Sequence, residues 1–188
     1  MIKNKKGFSY IEMVIVMGML LALVTVTTGA IRVGWSARAN KAANSVGAAL
    51  SQSKINALGG DIHYLQIVYR AKDTSKGYDS EGYYVELYHE NTNTYHKSDF
   101  IGNNRLKIRF GSDETELDST NVIQIKFNSK SGSVEYAGLA AIANDYAAKK
   151  PGASGHPMSA ADETLIKFSF GNTYILTLWQ ATGEHNIS

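Results

Sequence analysis

Lys5-Lys6-Gly7-Phe8-Ser9-Tyr10-Ile11-Glu12 opens onto an uncharged run, residues 13–31, whose first part, 13–24 (MVIVMGMLLALV), has no polar side chain. Crossing the ~30 Å hydrocarbon core of a bilayer takes about 20 mostly apolar residues at ~1.5 Å rise each. Residues 8–31 meet that length with one violation, Glu12. A buried core helix would be excessive here, because an all-round apolar helix of this length needs a larger protein to cover it. A secretory signal peptide is a second reading. Lys3, Lys5 and Lys6 would form its basic region, 13–24 its apolar region, and Ala37-Arg38-Ala39 its small-x-small cleavage site. Against it, Glu12 would open the apolar region with an acid. No proline breaks the pattern afterwards, and small residues continue through Ala57. A membrane-spanning helix is the expectation that remains.

Glu12 carries the most information. A carboxylate in mid-membrane costs ~2.5–3.5 kcal/mol on insertion scales, so such acids usually have a partner and a task. Its place near the start of a helix lowers that cost, since the macrodipole favours negative charge in the first turn. The apolar run supplies no cation. Cleavage after Gly7 would create one, the α-amino group of Phe8, with an ordinary pKa near 8.

The basic leader, the Gly7–Phe8 junction, Ser9, Ile11 and Glu12, followed directly by the apolar run, resemble the class III leader and N-terminal helix of type IV prepilins and pseudopilins. The resemblance implies that a prepilin peptidase cuts after Gly7 and N-methylates Phe8. It also implies that Glu12, fifth in the processed chain, neutralises a neighbouring subunit's N-terminus during assembly. Tyr10 stands where the family usually has Leu, and Gly29 lies near the place of a helix-kinking proline in major pilins. A weaker resemblance rests on Ile125, Phe127 and Gly132 and on the closing run from Leu178 to Gly183. Those residues are similar to the sheet region of H-type secretion pseudopilins and fimbrial T-type minor pilins.

Charge is unevenly spread. Of 19 Lys/Arg and 17 Asp/Glu, residues 1–60 hold seven basic and one acidic, leaving twelve basic and sixteen acidic for 61–188. A basic N-terminal part thus joins a mildly acidic body, which argues against a nucleic-acid surface built from clustered Lys/Arg. The C-terminal run from Gln180 to Ser188 has no Lys or Arg to hold phosphate. With no Cys there is neither a disulfide nor a thiolate nucleophile.

Past residue 31 the pattern stays helical but becomes amphipathic. Ile31, Trp35, Ala39, Ala42, Val46 and Leu50 share one face, and Gly59-Gly60 reads as the stop. From Asp61 the period changes to two. Leu106 to Phe110, Ile123 to Phe127 and Ile166 to Phe170 alternate, while His63 to Arg70, Tyr83 to Tyr88 and Tyr174 to Trp179 are strands by composition. Residues 137–163 interrupt the strands. They begin Ala-rich, with helix propensity, and both prolines, Pro151 and Pro157, lie within them. The segment reads as an insertion, either surface decoration or a contact for another subunit.

No reaction chemistry emerges. His63, His89, His96, His156 and His185 show no metal-ligand spacing, and neither a nucleophile elbow nor a phosphate-cradling glycine motif is present. Asp113, Glu114, Glu116 and Asp118 cluster beside Gly111, but the EF-hand order is missing, so a solvated turn is favoured over a calcium site. The expected fold is α+β: a long N-terminal helix, its apolar first half transmembrane, packed on a C-terminal antiparallel sheet or sandwich. The divisions are a leader at 1–7, a helix at 8–60 (8–31 in membrane or filament core, 32–60 amphipathic) and a β-rich domain at 61–188. The expected function is a minor pilin or pseudopilin of a type IV pilus or type II secretion-like filament. It is not an enzyme and has no cofactor or metal. Its partners would be a prepilin peptidase, other pilin subunits and the inner membrane before assembly, without nucleic acid. It would be a single-pass protein with its N-terminus in the cytoplasm and its β-domain outside. A secreted or surface β-domain with an ordinary signal peptide is the alternative.

Overall fold

A computed structural model of the chain describes residues 9–61, 63–89, 95–112, 114–141 and 163–188. Helix α1 (Tyr10–Leu58) is followed by strands β1 (His63–Arg70), β2 (Gly82–His89), β3 (Tyr95–Gly102), β4 (Lys107–Phe110), β5 (Thr115–Glu116) and β6 (Asn121–Phe127). Strands β7 (Val134–Ala141), β8 (Glu163–Phe170), β9 (Asn172–Trp179) and β10 (His185–Ile187) complete the chain. All strand pairs are antiparallel, in two five-stranded sheets ordered β3-β2-β1-β6-β7 and β10-β9-β8-β4-β5.

Two expectations are corrected. The α+β fold built on a long transmembrane helix gives way to a mainly β protein with a small helical part. Side chains of α1 are described over residues 10–25 and 34–58, and neither stretch is a long apolar helix. Residues 34–58 carry Arg38, Lys41 and Lys54. Among the described residues no helix is long and apolar enough to cross a membrane, so single-pass anchoring with an outside β-domain is not supported. The β content is larger than the alternation suggested because β3, β5, β7 and β10 are strands as well. Strand β7 runs to Ala141, so the Ala-rich start of the 137–163 segment pairs with β6 instead of coiling. Residues 142–162 lie outside the described residues.

The helix joins the sheets through a face of small side chains. Ala39, Ala42, Ala43, Val46, Leu50, Ser53 and Ala57 are all fully buried, at the three-and-four spacing of one helical stripe. Alanines there let the helix axis approach the strands closely. The stripe packs on Leu65, Ile67, Val85, Ile123, Ile125 and Phe127 of one sheet, and on Ile108, Ile166, Phe168, Leu176 and Leu178 of the other. Gly59 caps the helix and Gly60, at φ +85°, turns the chain into β1. Near the end of β9, Gly183 sits at φ +64°, where a Cβ would collide with the Gly132 carbonyl oxygen. Only glycine lets these two turns meet.

Candidate functional site

The described N-terminal part of α1 stands clear of the β body. Tyr10 is 84% exposed and Leu21 70%, and Ile11, Met13, Val14, Ile15, Val16, Met17, Met19, Leu20, Leu23 and Val24 are exposed with them. A monomer rarely presents a contiguous apolar patch beyond a few hundred Å² unless something covers it. Glu12 is the one charged residue in this stretch. Its carboxylate accepts the Ser9 backbone N–H at 2.7 Å, and Ser9 Oγ accepts the Ile11 N–H at 3.3 Å, so the two residues close a capping box at the helix start. The Ser-x-x-Glu spacing announces this box, yet the sequence reading assigned Glu12 only to assembly. Gly7 and Phe8 lie outside the described residues.

Where α1 meets the body, a groove opens between the helix and the edge strand β3. One cavity of about 430 Å³ is lined by Arg38, Lys41, Phe100, Leu106 and Phe170, among others. A second, of about 440 Å³, continues from it past Lys41, Ser45 and Phe100 to Gln52. Trp35 stands edge-on to Phe170 at 5.8 Å between centroids, and the Arg38 guanidinium lies 5.9 Å from the same ring. Glu81 lies on the opposite wall, where its carboxylate accepts the Tyr69 hydroxyl at 2.6 Å. That hydrogen bond, helped by burial, pushes the Tyr69 phenol up to about 12.

At the far end of α1 a third cavity, of about 430 Å³, is lined by Lys54, Ile55, Leu58, Trp179, Glu184 and His185. The Lys54 ammonium donates to the Thr182 carbonyl at 2.8 Å. Burial, and then the charge of Lys54, holds the His185 imidazole below its ordinary value.

The acidic cluster at 113–118 has other work. Glu114 pairs with Lys167 at 2.5 Å and with Arg109 at 3.1 Å, and the Lys167 contact leads in lowering its pKa. Glu116 pairs with Lys107, and Asp118 accepts from the Thr120 hydroxyl and backbone, which lowers its pKa in turn. Asp113 lies outside the described residues, among which no group of three His, Asp or Glu is placed to hold a metal ion.

No known protein family, curated protein or solved structure matches this chain. The functional argument therefore rests on its own residues. One of them was invisible to sequence reasoning: Glu86, fully buried, accepts from Arg70 Nε and Nη2 at 3.1 and 2.9 Å and from the Tyr78 hydroxyl at 2.9 Å. The guanidinium also lies 5.5 Å from the Tyr78 ring. This closed network holds the β1–β2 hairpin shut and offers no open position to a substrate.

Proposed function

We propose that this chain is a structural subunit of a filament of the type IV pilus or type II secretion class, a minor pilin or pseudopilin. A prepilin peptidase would process it after Gly7 and methylate the new N-terminal Phe8. The observation that carries the reading is the unbroken exposure of apolar side chains over residues 10–24 on a helix whose one charge is Glu12. Such a surface is satisfied by burial among like helices of neighbouring subunits. The charge of Glu12 then fixes register, because a carboxylate docks in an apolar interface only opposite a counter-charge. The β body would stand on the outside of the filament as the part that meets other subunits.

The body also bears on the signal-peptide alternative. Ser36 Oγ lies 2.7 Å from the Tyr174 hydroxyl, Trp35 packs on Phe170, and Ala39 is fully buried. Cleavage after Ala39 would discard contacts that the fold uses. Amino-terminal sequencing and mass measurement of the mature protein test the proposal. A mature chain that begins at N-methylated Phe8, and fails to mature in Gly7→Leu, is the expected result. A start after Ala30 or Ala39, or normal maturation of Gly7→Leu, would overturn it.

A further inference from the structure

Three of the chain's five methionines, Met13, Met17 and Met19, fall within the apolar stretch of α1, where they are 59%, 60% and 68% exposed. The described body has none, its core being filled mainly with Leu, Ile, Val, Phe and Ala. Met1 and Met158 lie outside the described residues. With no Cys in the chain, thioethers are its only sulfur. At 3.6 residues per turn Met17 lies about 40° round the helix from Met13, and Met19 about 160° from Met17. The sulfurs thus occupy two sides of the helix, and packing that surrounds it covers both. Residues 13–24 carry no polar side chain, and Thr25 Oγ1 already donates to the Leu21 and Ala22 carbonyls at 3.3 and 2.8 Å. Backbone N–H groups past the first turn are paired within the helix. A polar atom introduced at Met13, Met17 or Met19 would find no donor in this stretch.

We propose that Met13, Met17 and Met19 form a site oxidised by hydroperoxides, whose sulfoxides hold the subunit out of its filament. With hydrogen peroxide, a lone pair of the thioether sulfur attacks one peroxide oxygen, and the O–O bond breaks as the S–O bond forms. Sulfur gives up two electrons, and the leaving hydroxide takes the proton of the transferred oxygen and departs as water. The product is polar and chiral where the reduced side chain was apolar and flexible. Among like helices its oxygen has no donor, and burying a polar group without a hydrogen bond is unfavourable. Before assembly the sulfurs are open to solvent, so oxidation acts on the free subunit, and packing shields them afterwards. A methionine sulfoxide reductase restores the thioether, two electrons and two protons from a dithiol carrying the oxygen off as water. This switch rests on the filament reading and adds to it control by redox conditions.

Full-length chain treated with dilute hydrogen peroxide, then digested for mass spectrometry, should show one added oxygen at each of Met13, Met17 and Met19. The oxidised chain should need a concentration at least about tenfold higher to pellet. Methionine sulfoxide reductase with a dithiol should return it to the untreated value. Met13→Leu/Met17→Leu/Met19→Leu keeps the apolar surface without sulfur, and should pellet alike with and without peroxide. In pelleted wild-type chains the three should oxidise at least about tenfold more slowly than in free ones. Unaltered pelleting by a chain carrying the three sulfoxides would overturn the switch. So would a loss that the reductase leaves in place, or an equal loss in the leucine variant, which would put the damage elsewhere in the chain. Should the leucine variant fail to assemble untreated, reductase rescue of the wild type decides alone. An untreated wild type that never pellets is a different failure: it sinks the filament reading, and the switch with it, whatever the methionines do.

Discussion

His185, on the last strand, faces Gly47 of α1 so closely that a Cβ on the glycine would come 3.0 Å from its Nε2 and 3.4 Å from Ile187 Cδ1. The helix thus meets β10 backbone to side chain, and a glycine in mid-helix is kept at a cost of ~1 kcal/mol in propensity relative to Ala. Gly47→Ala should be nearly neutral, because the gain in propensity offsets a small shift of a three-residue terminal strand. Gly47→Leu cannot be absorbed that way and should destabilise the fold by about 1–3 kcal/mol. Hydrogen exchange at Ser188, whose N–H donates to Ile175, should quicken in Gly47→Leu and not in Gly47→Ala.

The same contact makes stability depend on pH. Burial and Lys54 keep the folded imidazole of His185 neutral to lower pH than in the unfolded chain, where it titrates near its ordinary value of 6.5. As pH falls below that value the unfolded chain takes up a proton that the folded chain does not, so stability falls until the depressed folded value is passed. The contribution is whole above about pH 6.5 and is lost on acidification. Denaturant midpoints should therefore be lower at pH 5.5 than at pH 7.5, and His185→Gln should shrink that difference. An unchanged difference in the variant would assign the effect elsewhere.

Removing Glu86 takes the carboxylate partner from the buried Arg70 guanidinium. Glu86→Leu should cost about 3–5 kcal/mol, whereas Arg70→Met/Glu86→Leu should lie much closer to the wild type. Tyr78→Phe removes one hydrogen bond to the carboxylate and should cost about 1.5–3 kcal/mol. Urea unfolding of the wild type, Arg70→Met, Glu86→Leu and the double variant closes a double-mutant cycle, and additive losses would show that the pair is not coupled.

Strands that present one apolar face to the core were legible because alternation is what a half-buried strand looks like. Ile123-x-Ile125-x-Phe127 and Ile166-x-Phe168-x-Phe170 each bury those three side chains. The edge strands were not legible. In β3, Lys97, Ser98 and Asp99 break the alternation, and an edge strand tolerates them because its outer side has no partner to pair with. The alanines of β7 have helix propensity, but tertiary pairing with β6 overrides it. The helix stripe 39–57 was partly foreseen, through Ala39, Ala42, Val46 and Leu50. Trp35, expected on that stripe, is instead partly exposed against Phe170. The groove could not be read in advance, since Arg38 and Phe100 are brought together only by tertiary packing.

Glu12 has a second role that separates its substitutions. Its carboxylate closes the capping box with Ser9, a contact worth about 0.5–2 kcal/mol to a helix start. Glutamine keeps an oxygen able to accept the Ser9 N–H but loses the charge, whereas leucine loses both. Ser9→Ala removes the other half of the box and leaves the charge in place. If Glu12 serves the cap alone, Glu12→Gln should assemble as the wild type does, while Ser9→Ala and Glu12→Leu should share one mild fraying of the first turn. If the charge fixes a neighbour's register, Ser9→Ala should assemble normally, Glu12→Leu should fail, and Glu12→Gln should fall between them. The second pattern is the expected one, since an apolar surface as continuous as 10–24 has no other group to select a single register. Pelleting of assembled chains, read beside helical circular dichroism for the cap, measures the two effects separately. Wild-type pelleting of Glu12→Leu would remove the charge from assembly and leave it only the cap.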